Sequence, residues 1–163
     1  MGGKWKAMGL AVVLPWLSAC AGFTPLYAEP GVSGGLSRID VTTPDTRTGY
    51  LLREALEDAF ATDRAAPADY RLNVELAERR TARGLRVDDT AARFELGLTV
   101  TYTLVETATG AVLLNRTAQA PVTYDAADQP FAGITAQQEA QARAATAAAE
   151  IVRTDLARWF ATR

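Results

Sequence analysis

Phe94-Glu95-Leu96-Gly97-Leu98-Thr99-Val100-Thr101-Tyr102-Thr103-Leu104 alternates apolar and polar residues along its whole length. Successive side chains of a strand point to opposite faces, so Phe94, Leu96, Leu98, Val100, Tyr102 and Leu104 share one face. Glu95, Gly97, Thr99, Thr101 and Thr103 share the other. One apolar face and one threonine-rich face describe a strand whose sheet is covered on a single side.

Outward from this strand, Thr109-Gly110 forms a tight turn and Val112 to Tyr124 returns as the next strand. Its alternation loosens around Asn115 and Arg116, which marks a bulge or an edge position. On the other side, Arg79 to Asp89 reads as a charged turn around Gly84. Before that turn, Tyr70, Leu72, Val74 and Leu76 alternate with Arg71, Asn73 and Glu75 as another strand. Leu36 to Thr43, through Ile39 and Val41, reads as a short first strand that Pro44-Asp45 ends.

Helical spacing occupies the rest. From about Arg47 to Ala61, Leu52, Leu56, Ala59 and Phe60 fall on one side, opposite Arg53, Glu54, Glu57 and Asp58. Asp125 to Gly133 is a connection, and an alanine-rich helix follows from about Gln137 to Ala161. Its stripe is Ala145, Ala148, Val152, Leu156 and Trp159, widened by Ile151 and Phe160. The expected fold is α+β in the order β-α-β-β-β-α, a four-stranded sheet with two helices packed on one face. Its second face is either solvated or meets a polar partner wall.

Composition narrows the function. The chain has 163 residues, one domain's worth, assigned to 36–163. There is no histidine, which removes the usual general base and the commonest transition-metal ligand. No dinucleotide fingerprint, P-loop or zinc-protease motif occurs, so neither a cofactor nor a metal site is expected. An enzyme would run on carboxylates such as Glu75, Glu95 or Asp125, which read more simply as strand-surface charges. Lys4 and Lys6 lie in the leader, leaving fifteen arginines against nineteen acids, a net charge of −4. That sign argues against nucleic acid.

The one cysteine, Cys20, ends Leu17-Ser18-Ala19-Cys20 behind a basic start and the apolar run Met8 to Leu17. This is a bacterial lipobox: residues 1–19 are the signal peptide and Cys20 is the lipid attachment point. The run is too short to span a bilayer comfortably. Two or three acyl chains on Cys20 would hold the mature protein to its membrane, where a single chain holds only marginally. Ala21, following the cysteine, favours the outer membrane. Residues 20–35, with Pro30, Gly31, Gly34 and Gly35, are expected to form a flexible tether.

Cys20-Ala21-Gly22-Phe23-Thr24-Pro25-Leu26-Tyr27 resembles the mature start of the lipopolysaccharide-assembly lipoproteins of the Gram-negative envelope, the LptE family. The element order and the alanine-rich last helix are similar as well. The resemblance implies a plug inside a large outer-membrane β-barrel that inserts lipopolysaccharide into the outer leaflet, and a role in assembling that barrel. It also implies lipopolysaccharide binding through basic loop residues. Leu85-Arg86-Val87-Asp88-Asp89-Thr90-Ala91 is similar to a ligand-contacting family segment, which makes Arg86 the candidate, with Arg83 and Arg93 nearby. The plainer alternative is a solvated charged hairpin in which Asp88 and Asp89 pair the arginines. A second basic family position falls near Gly133-Ile134-Thr135, uncharged here. The competing function is a freestanding outer-membrane lipoprotein that carries an amphiphile between sheet and helices, although Ala144 to Ala149 favour close packing there.

Overall fold

The computed structural model describes residues 30–85, 91–125 and 129–163. A helix α1 (Pro30–Ser37) leads into strand β1 (Ile39–Thr42), helix α2 (Arg47–Phe60) and strand β2 (Tyr70–Leu85). Strands β3 (Ala91–Glu106) and β4 (Val112–Asp125) follow, and helix α3 (Pro130–Ala161) closes the chain. The sheet order is β1-β2-β3-β4, with β1 parallel to β2 and the other pairs antiparallel. This is the expected α+β architecture, with α2 and α3 side by side on one face of four strands.

The core forms where the alternation places it. Leu72 and Val74 of β2, Leu96 to Leu104 at alternate positions of β3, and Ala118 and Ala120 of β4 are buried beneath the helices. Leu52, Leu56 and Phe60 of α2 meet them. Along α3, Ala140, Ala144, Ala148, Val152 and Leu156 recur at spacings of four and are wholly buried. The alanines bring the helix axis close to the sheet. Tyr102 adds a polar tie: its buried hydroxyl donates to Asp155 on α3 at 2.8 Å.

Five features depart from the expectation. Residues 30–35 are part of a helix rather than a tether, because Val32 and Leu36, four apart, are buried at 1% and 3% exposure against α2 and α3. Gly35 permits that contact, since a Cβ there would lie 2.6 Å from the Phe160 ring. The first strand accordingly starts at Ile39, not Leu36. β2 does not stop at Leu76; its ladder with β3 runs on to the pair Arg83–Arg93 and to Leu85–Ala91. Backbone pairing continues there although the side chains have become charged. α3 begins at Pro130, seven residues early, and Ile151 is exposed rather than part of the buried stripe.

On β4, Leu104 faces Leu114 while Val105 faces Val112, so Leu113 is one extra residue, just before Asn115. β4 is also an edge strand, as the loosened alternation implied. Its edge is blunted by Pro121, which lacks an N–H, and by Arg143 of α3, which donates to the Thr123 carbonyl at 3.2 Å.

Candidate functional site

The β2–β3 hairpin reaches beyond α2. Thr48 Oγ1 of that helix donates to Glu78 at 2.9 Å, and further out along β2 the hydrogen bonds with helices among the described residues are with α3. There Gln141 donates to both Glu78 oxygens at 3.1 Å, and Arg80 donates to Gln137 at 3.3 Å. The Arg80 guanidinium also lies 4.9 Å from the centre of the Phe94 ring, which stacks on Tyr124. Glu78 and Arg80 belong to the face that carries Leu72, Val74 and Leu76. Sequence reading missed both, and the break in that apolar run was the available signal.

At the outer end of the hairpin Arg83 and Arg93 are cross-strand partners. Each is engaged by an acid from a neighbouring strand: Arg83 by Glu95 at 3.0 Å and Arg93 by Asp125 at 2.8 Å. The hydrogen bond to Glu95, then its charge, raises the Arg83 pKa above its ordinary value. Both arginine side chains remain 56% exposed. With Gly84, whose φ of +72° suits glycine, they line an open depression of about 420 Å³. Both pairs are exposed and screened by solvent, so a phosphate can displace either carboxylate at little cost. Arg86, Asp88, Asp89 and Cys20 lie outside the described residues. The Gly133-Ile134-Thr135 position falls in the first turns of α3, with Ile134 and the nearby Phe131 exposed.

The face away from the helices is open, with no element over it among the described residues. Register sets its side chains in rows. Asp40 pairs with Arg71 at 3.6 Å; Asn115 donates to Thr103 at 2.9 Å; Thr101 and Thr117 share a hydrogen bond at 3.3 Å. Next come the rows Ala77–Thr99–Gln119, Arg79–Gly97–Pro121 and Thr81–Glu95–Thr123. The hydroxyls and amides in the first rows largely satisfy one another in the plane of the sheet. Of the three carboxylates weighed for catalysis, Glu95 and Asp125 are held by arginines, and Glu75 stands on this open face. Among the described residues no three His, Cys, Asp or Glu side chains gather as metal ligands.

The LptE family model, described as lipopolysaccharide-assembly, matches residues 36–156. A lipoprotein of known structure from Caulobacter crescentus is 46% identical, with a TM-score of 0.71 over 81% of this chain and 96% of that one. The rare lipoprotein B of Shewanella oneidensis is 15% identical, with a TM-score of 0.58 over 76% of this chain and 96% of its own. A minor lipoprotein of Acinetobacter baumannii is 20% identical, with a TM-score of 0.56 over 76% and 92%. These last two share the fold. No functionally curated protein matches the chain.

Proposed function

The chain belongs to the LptE lipopolysaccharide-assembly family, and on that premise we propose that it is an outer-membrane lipoprotein working as plug and assembly partner of a β-barrel. That barrel inserts lipopolysaccharide into the outer leaflet. Acyl chains on Cys20 hold the protein at the membrane, and the helix-backed sheet occupies the barrel lumen. The match over residues 36–156 carries this reading. An open sheet face of threonine, asparagine, glutamine and paired charges supports it, because the interior of an outer-membrane barrel is polar. Arg83, Arg86 and Arg93 are the proposed contacts for lipopolysaccharide phosphates, by the bidentate geometry a guanidinium offers to phosphate.

A freestanding amphiphile carrier needs a cavity between helices and sheet. Ala140, Ala144, Ala145 and Ala148 fill that space at 0–1% exposure, which disfavours it. The deciding experiment is purification of the tagged full-length chain from its own envelope in mild detergent. A single barrel protein at one-to-one is expected, with palmitate label on the parent and none on Cys20→Ser. A chain that purifies unacylated and without a barrel overturns the proposal.

A further inference from the structure

Gly97 sits in the middle of β3, and nothing among the described residues requires it to be glycine. Its φ is not positive; the positive-φ glycines of the described residues are Gly84 and Gly110. The ladders on both sides are regular at this register, pairing Gly97 with Arg79 and with Pro121. A Cβ here would meet nothing closer than the Arg79 carbonyl oxygen, at 3.8 Å. A glycine inside a strand weakens it and marks a bulge, a bend or the close approach of another molecule. The sheet shows neither of the first two at Gly97.

The neighbours make the same point. Pro121, across on the edge strand, presents only its ring, so this row is a shallow trough over the open face. Adjacent strands lie about 4.8 Å apart, which gives a trough of roughly 10 Å from β2 to β4. At its β2 end stands Arg79, exposed and without a hydrogen bond or ion pair among the described residues. Arg71, Arg83 and Arg93 on the same face each hold a carboxylate already. An arginine with nothing to give up is the one that gains most from an incoming acid.

We infer that the Arg79–Gly97–Pro121 trough is a docking groove for the wall of the barrel, which sets a projecting acidic side chain against Arg79 with its backbone close over Gly97. The inference rests on the plug reading and assigns the open sheet face as the side that meets the wall. The occupant is a protein surface rather than a free anion, because the trough crosses a flat face and offers one cation with no converging donors.

The test uses full-length tagged chain coexpressed with its barrel, scoring barrel recovered per lipoprotein. Gly97→Val adds a β-branched side chain in open space and should keep or raise the thermal midpoint. It should nonetheless recover about tenfold less barrel, as should Arg79→Glu, with Arg79→Lys in between. Parent-like recovery by a folded Gly97→Val, or by Arg79→Glu, overturns the inference and leaves the plug reading standing. Should Gly97→Val fail to fold, Arg79→Glu decides alone, since the Arg79 side chain holds no partner among the described residues. A parent that recovers no barrel removes the plug reading, and this inference with it.

Discussion

Leu98 and Thr99 are consecutive residues of β3. Leu98 is 1% exposed beneath the helices, while Thr99 stands on the open face between Ala77 and Gln119. The inner residue is fixed by everything packed on it; the outer one answers only to in-plane neighbours and to whatever approaches from outside. Packing and the proposed docking surface therefore fall on alternate residues of the same strand, and variants on the two faces should separate them. Leu98→Ala is expected to cost about 2–5 kcal/mol by lost transfer and a residual cavity. Thr99→Ala should stay within about 0.5 kcal/mol. Urea unfolding checks both, and similar losses would erase the distinction between the faces.

Glycines sharpen the same contrast. A Cβ on Gly49 would lie 2.0 Å from the Pro44 carbonyl oxygen, inside the turn where Thr46 caps α2 by accepting from the Gly49 N–H at 3.1 Å. Gly49→Ala must open that turn, at about 2–3 kcal/mol. Gly97→Ala should instead gain about 0.5–1 kcal/mol, since it limits the unfolded chain and meets open space. Thermal unfolding of the pair gives the sign of each. A destabilised Gly97→Ala would mean that the chain itself requires that glycine.

Alternation made most of the sheet legible, because Leu72, Val74 and Leu76 or Leu96 to Leu104 state their face directly. It failed where the inner face turns polar. Glu78 and Arg80 end the apolar run, which reads as the end of the strand, yet the ladder needs only backbone partners. Three glycines and a proline in residues 30–35 disguised α1, whose stability comes from burying Val32 and Leu36 and not from local propensity. The arginines of the hairpin were legible as a cluster, but not which acid each would hold. Glu95 and Asp125 come from positions 12 and 32 residues away. Arg79 and Arg80 are adjacent in sequence and opposite in face, and only register tells that Arg80 is tied to α3 while Arg79 has no partner among the described residues.

Tyr102 is the polar exception on the inner face. Burial first, and then the hydrogen bond and charge of Asp155, raise its phenol pKa above the ordinary value; Arg116 opposes them weakly. Arg116 and Arg158 stand 3.8 and 3.7 Å from Asp155, so the carboxylate keeps cationic company if the phenol is lost. Tyr102→Phe should then cost about 1–2 kcal/mol at neutral pH. A raised folded pKa gives stability that is complete below the unfolded value, about 10, and is lost as pH climbs past it. The parent should therefore lose stability more steeply than Tyr102→Phe between about pH 9 and 11. Parallel pH profiles would show that this hydroxyl is not a buried acid of the fold.

The arginines at the hairpin end stand on the outer face as well, and there the proposed ligand contacts test the difference between the faces. Arg83 and Arg93 each trade an exposed carboxylate for water when cut to alanine, so the thermal midpoint should barely move. On the proposed ligand reading, lipopolysaccharide affinity should fall about tenfold for Arg83→Ala, Arg86→Ala or Arg93→Ala, because each would remove a charge-assisted fork to phosphate. Binding by the parent should also weaken as salt is raised, as exposed charge contacts do. Barrel recovery should stay at the parent level, since the hairpin end and the Gly97 trough are separate stretches of the same face. Equal lipopolysaccharide affinity in all three variants would remove the ligand role and leave Arg83 and Arg93 as solvated partners of Glu95 and Asp125. A parallel loss of barrel would merge the two surfaces into one.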